Sequence, residues 1–385
     1  MIKKFKVAIV RRERGNALSM DVYADNLIAQ LNRIRPHWEI IELAPRAWSP
    51  NVTNSWHSGN PVRKYYERFW RYPRAVSQHQ ADIFHIIDHT DGHIVYWLKK
   101  LGKPVIVTCH DLVQYIYPEI LKGQARFPPL SMATWRYSVK GMKKADRIIT
   151  VSQNTAKDVG KMLDISADII TVTPNGVDAQ FRVLPQNQIA SRRAKHASVG
   201  EICLLNVGST HQRKNMETIL KVLETLRQKD FPARLWKVGS DFTPQQKAYI
   251  SDRQLESCIT WIPQIERETL VELYNAADIL LAPSLYEGFG LTIIEAMACG
   301  TPVITANVSS LPEVAGDAAV LVDPLNVKAM AEAIVRLFNN STVRDRLVEK
   351  GLARAEQFTW NQTAKTIAIN YEAISSNCHL PEIKI

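Results

Sequence analysis

Two carboxylates, Glu287 and Glu295, stand eight residues apart in the run EGFGLTIIE, with Gly288 and Gly290 between them. Apolar residues Ile279–Ala282 lead in as a strand, Leu291–Cys299 continue as an apolar helix, and Gly300 stops it before a new strand opens at Pro302. At such a junction the first backbone N–H groups of the helix point outward and favour negative charge. Glycines without a Cβ let the backbone lie close against a phosphate. Glu287, in the loop, is placed to reach whatever that phosphate carries. Glu295, one turn into the helix, is placed to accept hydrogen bonds from the hydroxyls of a ribose. The layout suits a nucleotide-sugar. The plainer alternative is a glycine turn flanked by two solvated glutamates.

Other segments offer matching chemistry. In NVGSTHQRKN, Gly208 follows a strand, and Arg213 and Lys214 sit where a helix begins. Two cations there could hold a diphosphate by charge-assisted hydrogen bonds of roughly 1.5–3 kcal/mol each. PVIVTCHDL ends a buried strand in His110 and Asp111, the edge at which open parallel sheets bind ligands. HIIDHTDGH packs three histidines and two aspartates into nine residues. Metal ligands must converge on one point, which a strand end does not supply, so a polar acceptor-side loop carrying Asp88 and His89 is the better reading. RRERGNALSM places Gly15 and Asn16 after the first strand, as a glycine loop or a basic turn. VRKYYERFWRYPR (62–74) has helical, amphipathic spacing with Arg and Lys beside aromatics. It reads either as a helix packed on the core or as a face for an anionic membrane.

These motifs together resemble the retaining GT-B glycosyltransferases of glycosyltransferase family 4, and the likeness runs over nearly the whole chain. The resemblance implies donor binding by Gly208, Gly239, Gly288, Phe289, Gly290, Leu291, Glu295 and Pro263, with the base read by backbone near Gly239 and Pro263. It implies catalytic parts for His110, Glu287, Lys214 and Arg213, with His110 touching the donor sugar. Gly15, Asn16, Asp88 and His89 fall on the acceptor side. Many family members carry an arginine directly after the first glycine, where this chain has Ser209; the RKN pattern carries it beside the lysine. PNGVD, at the expected domain junction, also resembles the family. No D-x-D occurs, so metal-independent chemistry and no cofactor are expected. No protein nucleophile is evident, which favours front-face attack assisted by the donor phosphate. The expected function is transfer of a hexose-type sugar from a UDP- or GDP-sugar to a glycan, lipid-linked or small-molecule acceptor, as in polysaccharide biosynthesis. A nucleotide-sugar epimerase of the same fold and a non-catalytic nucleotide-sugar-binding protein are the alternatives; nucleic acid is not an expected partner.

The elements that must position these residues are legible as two rounds of alternating strand and helix, an α/β chain with parallel sheets. At 385 residues there is length for two cores. The expected division is an acceptor-binding domain over 1–180, a linker over 181–198 and a donor-binding domain over 199–358. The terminal helix, 359–385, would return to the first domain, and the two Rossmann-like domains would face a deep cleft. Strands are predicted at Phe5–Val10, His37–Leu43, Asp82–Ile87, Pro104–Thr108, Arg147–Val151 and Ile169–Val172 in the first round. The second round predicts Ile202–Val207, Arg234–Val238, Ile259–Ile262, Ile279–Ala282, Pro302–Thr305 and Ala319–Val322. The five scattered cysteines read as reduced, and no secretory or membrane-spanning run is visible, so a cytoplasmic protein is expected, at most peripheral to the membrane. Residues 1–180 carry 26 Lys and Arg against 16 Asp and Glu, whereas 181–385 carry 22 of each. The whole net charge of +10 therefore belongs to the first half, which points to an anionic partner there.

Overall fold

The computed structural model describes residues 4–14, 18–45, 61–118, 128–196, 200–263 and 265–377. The chain forms two compact units, Met1–Gly176 with Trp360–Ile385, and Val177–Thr359. Gly15 and Asn16 lie outside the described residues.

In the first unit six strands form one parallel sheet: β1 Lys6–Val10, β2 Glu39–Leu43, β3 Ile83–Ile86, β4 Val105–Cys109, β5 Arg147–Thr150 and β6 Ile170–Val172. Their order across the sheet is β2-β1-β3-β4-β5-β6. Successive side chains of a strand face opposite ways. Accordingly Val7 and Ile9 pack with Tyr23, Leu27 and Leu31 of the helix Leu18–Ile34, while Ala8 and Val10 join a second cluster with Val95, Val139 and Met142. The terminal helix Trp360–Asn377 belongs to this unit, burying Trp360, Ala364, Ile367 and Tyr371 in the first of these clusters.

The second unit has the parallel strands β7 Ile202–Gly208, β8 Ala233–Gly239, β9 Ile259–Ile262, β10 Ile279–Ala282, β11 Val303–Ala306 and β12 Val320–Val322. Their order is β12-β11-β10-β7-β8-β9. The chain thus winds outward from β7 in one direction and from β10 in the other. The reversal between β7 and β10 opens a crevice at their carboxyl ends, the place where doubly wound sheets bind ligands. Gly208 ends β7 and Glu287 follows β10, so the motifs read from sequence meet at that switch point.

All twelve predicted strands are present within a residue or two of their expected ends. The expected linker is a correction. Gln186–His196 is a helix of the second unit, with Arg192 Nε donating to Glu272 at 2.7 Å and Arg193 paired with Asp278 at 2.8 Å. Its polar face hid it from periodicity. Short helices at Ile94–Lys99, Gln153–Leu163, Pro244–Asp252 and Arg267–Ala276 were likewise not anticipated. Among the described residues the cysteines are free, and no helix is long and apolar enough to cross a membrane.

Candidate active site

At the switch point of the second unit, β7 ends in Gly208 at φ +127° and β8 in Gly239 at φ +103°. The two strand ends nearly touch: a Cβ on Gly239 would sit 2.6 Å from the Gly208 carbonyl oxygen. Beyond Gly208 a single 3-10 turn, Gln212–Lys214, carries both cations. Asn215, in the left-handed region, then starts the helix Met216–Arg227. Its buried amide donates to the carbonyls of Pro283 (3.0 Å) and Pro324 (2.7 Å), which pins the turn beside the loop after β10.

That pinning brings Glu287 against the cations. Lys214 Nζ lies 2.6 Å from Glu287 Oε1 and Arg213 Nη1 2.8 Å from Oε2, while Ser284 Oγ donates to Oε1 at 2.7 Å. Burial alone would raise the Glu287 carboxyl, but Lys214 and Arg213 outweigh it and hold it down at about 2. Ser309 and Ser310 hydroxyls hold the Glu287 carbonyl, and Ser310 also the Phe289 carbonyl at 2.9 Å. These bonds tie the loop backbone to Ser309 and Ser310. Lys214 keeps further N–H donors beyond the one on Glu287, because an ammonium has three, and Arg213 Nη1 also faces the Tyr286 carbonyl at 3.4 Å. The pair can serve a carboxylate and a diphosphate together.

Gly290 is the glycine that the turn requires. At φ +107° it precedes the helix Leu291–Ala298, and a Cβ there would come within 3.0 Å of Leu311. Gly288 is not in the left-handed region. Phe289 is buried edge-on against Phe358. Leu291 supplies the first amide of the helix, whose dipole favours an anion.

Glu295 stands apart from this ion network. Its Oε2 accepts from the hydroxyl of Tyr274 at 2.9 Å, and Tyr274 is fully buried on the helix Arg267–Ala276. Burial pushes the Glu295 carboxyl up to about 7, against the opposing pull of the Tyr274 hydroxyl and of Arg267 and Lys214. One carboxylate oxygen is thus fixed by Tyr274.

Lys237 was invisible as a site residue, because a lysine within a strand reads as a surface position. Yet it is wholly buried, donating to the carbonyls of Gly208 (2.6 Å) and Val238 (2.9 Å). Burial, with Lys214 nearby, lowers it to about 8, so it retains its charge at neutral pH. A third cation therefore lies beneath the Gly208 turn. Trp261 was also missed; its indole N–H holds the Gly239 carbonyl at 3.0 Å, next to the exposed Pro263.

In the first unit His110 follows β4. Its Nε2 is 2.8 Å from the Ile87 carbonyl, which can only accept, so Nε2 carries the hydrogen. Burial lowers its pKa, the ring is neutral, and Nδ1 is left as an acceptor. Asp88 and His89 lie beside it at the end of β3. Burial would raise Asp88, but Arg12, 2.9 Å away, holds it well below the usual carboxylate range. The polar-loop reading fails for the flanking histidines, which are core residues. His85 sits inside the sheet between Tyr371 (2.6 Å) and Thr108 (2.7 Å), and burial keeps it neutral, near 3. His93 bonds Ser138 at 3.0 Å and the Arg68 carbonyl at 2.7 Å. Their lone pairs and protons are engaged separately. Among the described residues no group of three or more His, Cys, Asp or Glu is arranged to hold a metal.

The chain resembles known proteins in sequence and in fold. The family described as "Glycosyl transferases group 1" matches residues 188–354, and "Glycosyltransferase Family 4" matches 29–181. The chain is 30% identical over 279 residues to the O-antigen chain mannosyltransferase B of Escherichia coli, covering 71% of each protein. Sucrose-phosphate synthase from Thermosynechococcus elongatus has the same fold, with a TM-score of 0.77 at 22% identity over 97% of this chain and 100% of that one. Anabaena HepE in complex with UDP and glucose superposes with a TM-score of 0.74 at 16% identity, covering 96% and 100%. The two parallel units are the Rossmann-like pair of the GT-B fold.

Proposed function

The chain belongs to the group 1 glycosyltransferases, and from that membership we propose that it moves a mannosyl or glucosyl unit from a UDP- or GDP-sugar, with retention and without a metal ion. The observation that carries this reading is the Arg213–Lys214–Glu287 network at the switch point, beside the helix start at Leu291. In this proposal the helix amides, Lys214 and Arg213 bind the diphosphate and stabilise the charge it gains as the glycosyl bond breaks. Donors fixed before reaction are the usual source of the largest rate contribution at such sites. Glu287, ionised across the physiological range, accepts hydrogen bonds from sugar hydroxyls and keeps both cations aimed. Glu295 takes a ribose hydroxyl on the oxygen that Tyr274 does not hold. His110 offers Nδ1 to a hydroxyl hydrogen.

Glu287, the carboxylate against the diphosphate site, is bound by two cations and Ser284, which makes it a poor nucleophile. This supports front-face attack in which the departing phosphate takes the acceptor's proton. The excess positive charge of the first half of the chain favours a glycan acceptor carrying phosphate, such as a lipid-linked one presented at a membrane face. The mannosyl reading is favoured by the name of the E. coli relative. A thermal-shift panel of UDP-, GDP-, ADP- and dTDP-sugars, followed by donor hydrolysis with the best binder, tests the proposal. Stabilisation by one nucleotide-sugar and slow release of its sugar are expected; indifference to every member would overturn it. Products formed without any acceptor but epimerised in the sugar would point to the epimerase instead.

A further inference from the structure

The 62–74 segment is a helix with an interruption that decides which side chains reach solvent. Pro61–Tyr66 is α-helical, Glu67–Arg71 forms a π-helical turn, and Tyr72–Gln78 resumes the α-helix. The wider turn rotates the apolar residues into two sets. Tyr72 and Val76 are buried in the core of the first unit, with Phe69 half-buried. Val62, Tyr66 and Trp70 point outward, 78%, 44% and 43% exposed. Tyr66 and Trp70 stack at 5.2 Å, and the guanidinium of Arg74 lies 5.2 Å over the Trp70 ring. The core-packing expectation for this helix thus holds for one set, while the other set faces outward.

A second helix, Pro128–Lys140, extends the same surface. Its Tyr137 is half exposed and lies 6.2 Å from Phe69 and 5.2 Å from Tyr96, and Leu130 is half exposed as well. The stretches 61–78 and 128–144 together contain nine Lys or Arg and a single acid, Glu67. Glu67 is buried and paired with Arg71 at 2.8 Å, so it does not offset the surface charge. Lys64, Arg74, Arg136, Lys140, Lys143 and Lys144 are exposed. Stacked aromatics at a surface beside this many cations, of which Lys143 faces the exposed Asp164 at 4.0 Å, match the boundary between acyl chains and anionic headgroups.

We propose that this two-helix face docks the first unit on an anionic lipid bilayer, with Tyr66, Trp70 and Tyr137 at headgroup depth and the cations on the lipid phosphates. The argument uses only this surface and stands whether or not the donor chemistry proposed above is correct.

Flotation of the full chain with vesicles tests it, using phosphatidylcholine alone and phosphatidylcholine mixed with phosphatidylglycerol. Binding to the mixed vesicles only, weakening with salt, is expected. Tyr66→Ser with Trp70→Ser, and separately Arg74→Gln with Arg136→Gln and Lys140→Gln, should each lower partitioning by on the order of tenfold or more. Melting temperature and nucleotide-sugar stabilisation should be unchanged in both, because the substituted groups are exposed. Quenching by bromine-labelled lipid should fall in Trp70→Phe, which places that ring in the bilayer. Equal binding to neutral vesicles, no binding at all, or variants that bind like the parent would overturn the proposal. So would binding to a short DNA duplex that the aromatic variant retains and that displaces the vesicles, which would mark a polyanion surface instead.

Discussion

Replacing Glu295 by Gln should make the ligand-free protein more stable while damaging donor binding. The carboxyl is enclosed beside Tyr274 and raised from 4.5 to about 7. A shift of that size corresponds to about 3 kcal/mol between the two protonation states, and partial solvent access at the helix surface reduces the usable figure to roughly 1–3 kcal/mol. Because the folded value lies above the unfolded one, the group favours folding at low pH, and that contribution is lost as pH rises through about 7. At pH 8 the enzyme carries a desolvated carboxylate, and a neutral amide of the same shape relieves it while keeping an oxygen for the Tyr274 hydroxyl. For a unit of this size the gain corresponds to roughly 2–10 °C in melting temperature at pH 8, shrinking toward zero near pH 4.5. Calorimetric melts of both proteins across that range, with donor KM measured in parallel, form the assay. At pH 8 the donor KM should rise at least tenfold in Glu295→Gln, since a charged acceptor of a ribose hydroxyl becomes a neutral one. No gain at pH 8, or an equal gain at pH 4.5, would refute the reasoning about Glu295.

Lys214→Ala should lower kcat/KM by about a hundred- to a thousandfold, because it removes a donor aimed at the charge of the departing diphosphate; steady-state kinetics check this. Lys237→Met should weaken donor binding severalfold at pH 7. The parent should lose the same affinity as pH rises through about 8, where Lys237 deprotonates, a step absent from the variant. Asp241 and Lys214 are the charges facing it, so the profile is best read with Lys214 intact. Gly290→Ala should destabilise the second unit by about 1–3 kcal/mol, from its positive φ and the contact with Leu311, seen as an earlier melting transition.

The sheets were legible because parallel strands buried on both faces are unbroken apolar runs, as at Ile202–Leu205 and Ile279–Leu281. Glu287, Gly290 and the RK pair were legible because a glycine turn between strand and helix leaves its mark in adjacent residues. What stayed hidden was pairing across the fold. Nothing local in the sequence shows that Glu287 closes on cations about seventy residues earlier, an arrangement that depends on Asn215 reaching the Pro283 carbonyl. Tyr274 and Lys237 were missed for a related reason: each is a polar side chain whose partner lies on another element. The error at His85 runs the other way. A histidine a few residues before Asp88 and His89 looks functional in sequence, but the strand's alternation turns it inward, to Tyr371 on the terminal helix. The helix Gln186–His196 shows a final limit, since it has no buried residue and is fastened by ion pairs instead of an apolar stripe.

Isothermal titration of the intact protein with UDP- and GDP-sugars, beside Lys214→Ala, tests most directly whether the β7–β10 switch point binds a donor diphosphate. The account predicts saturable one-to-one binding of one such donor, at least tenfold weaker in the variant, with affinity falling as added pyrophosphate competes. Binding of equal strength in both proteins, or a donor that pyrophosphate fails to displace, would contradict it.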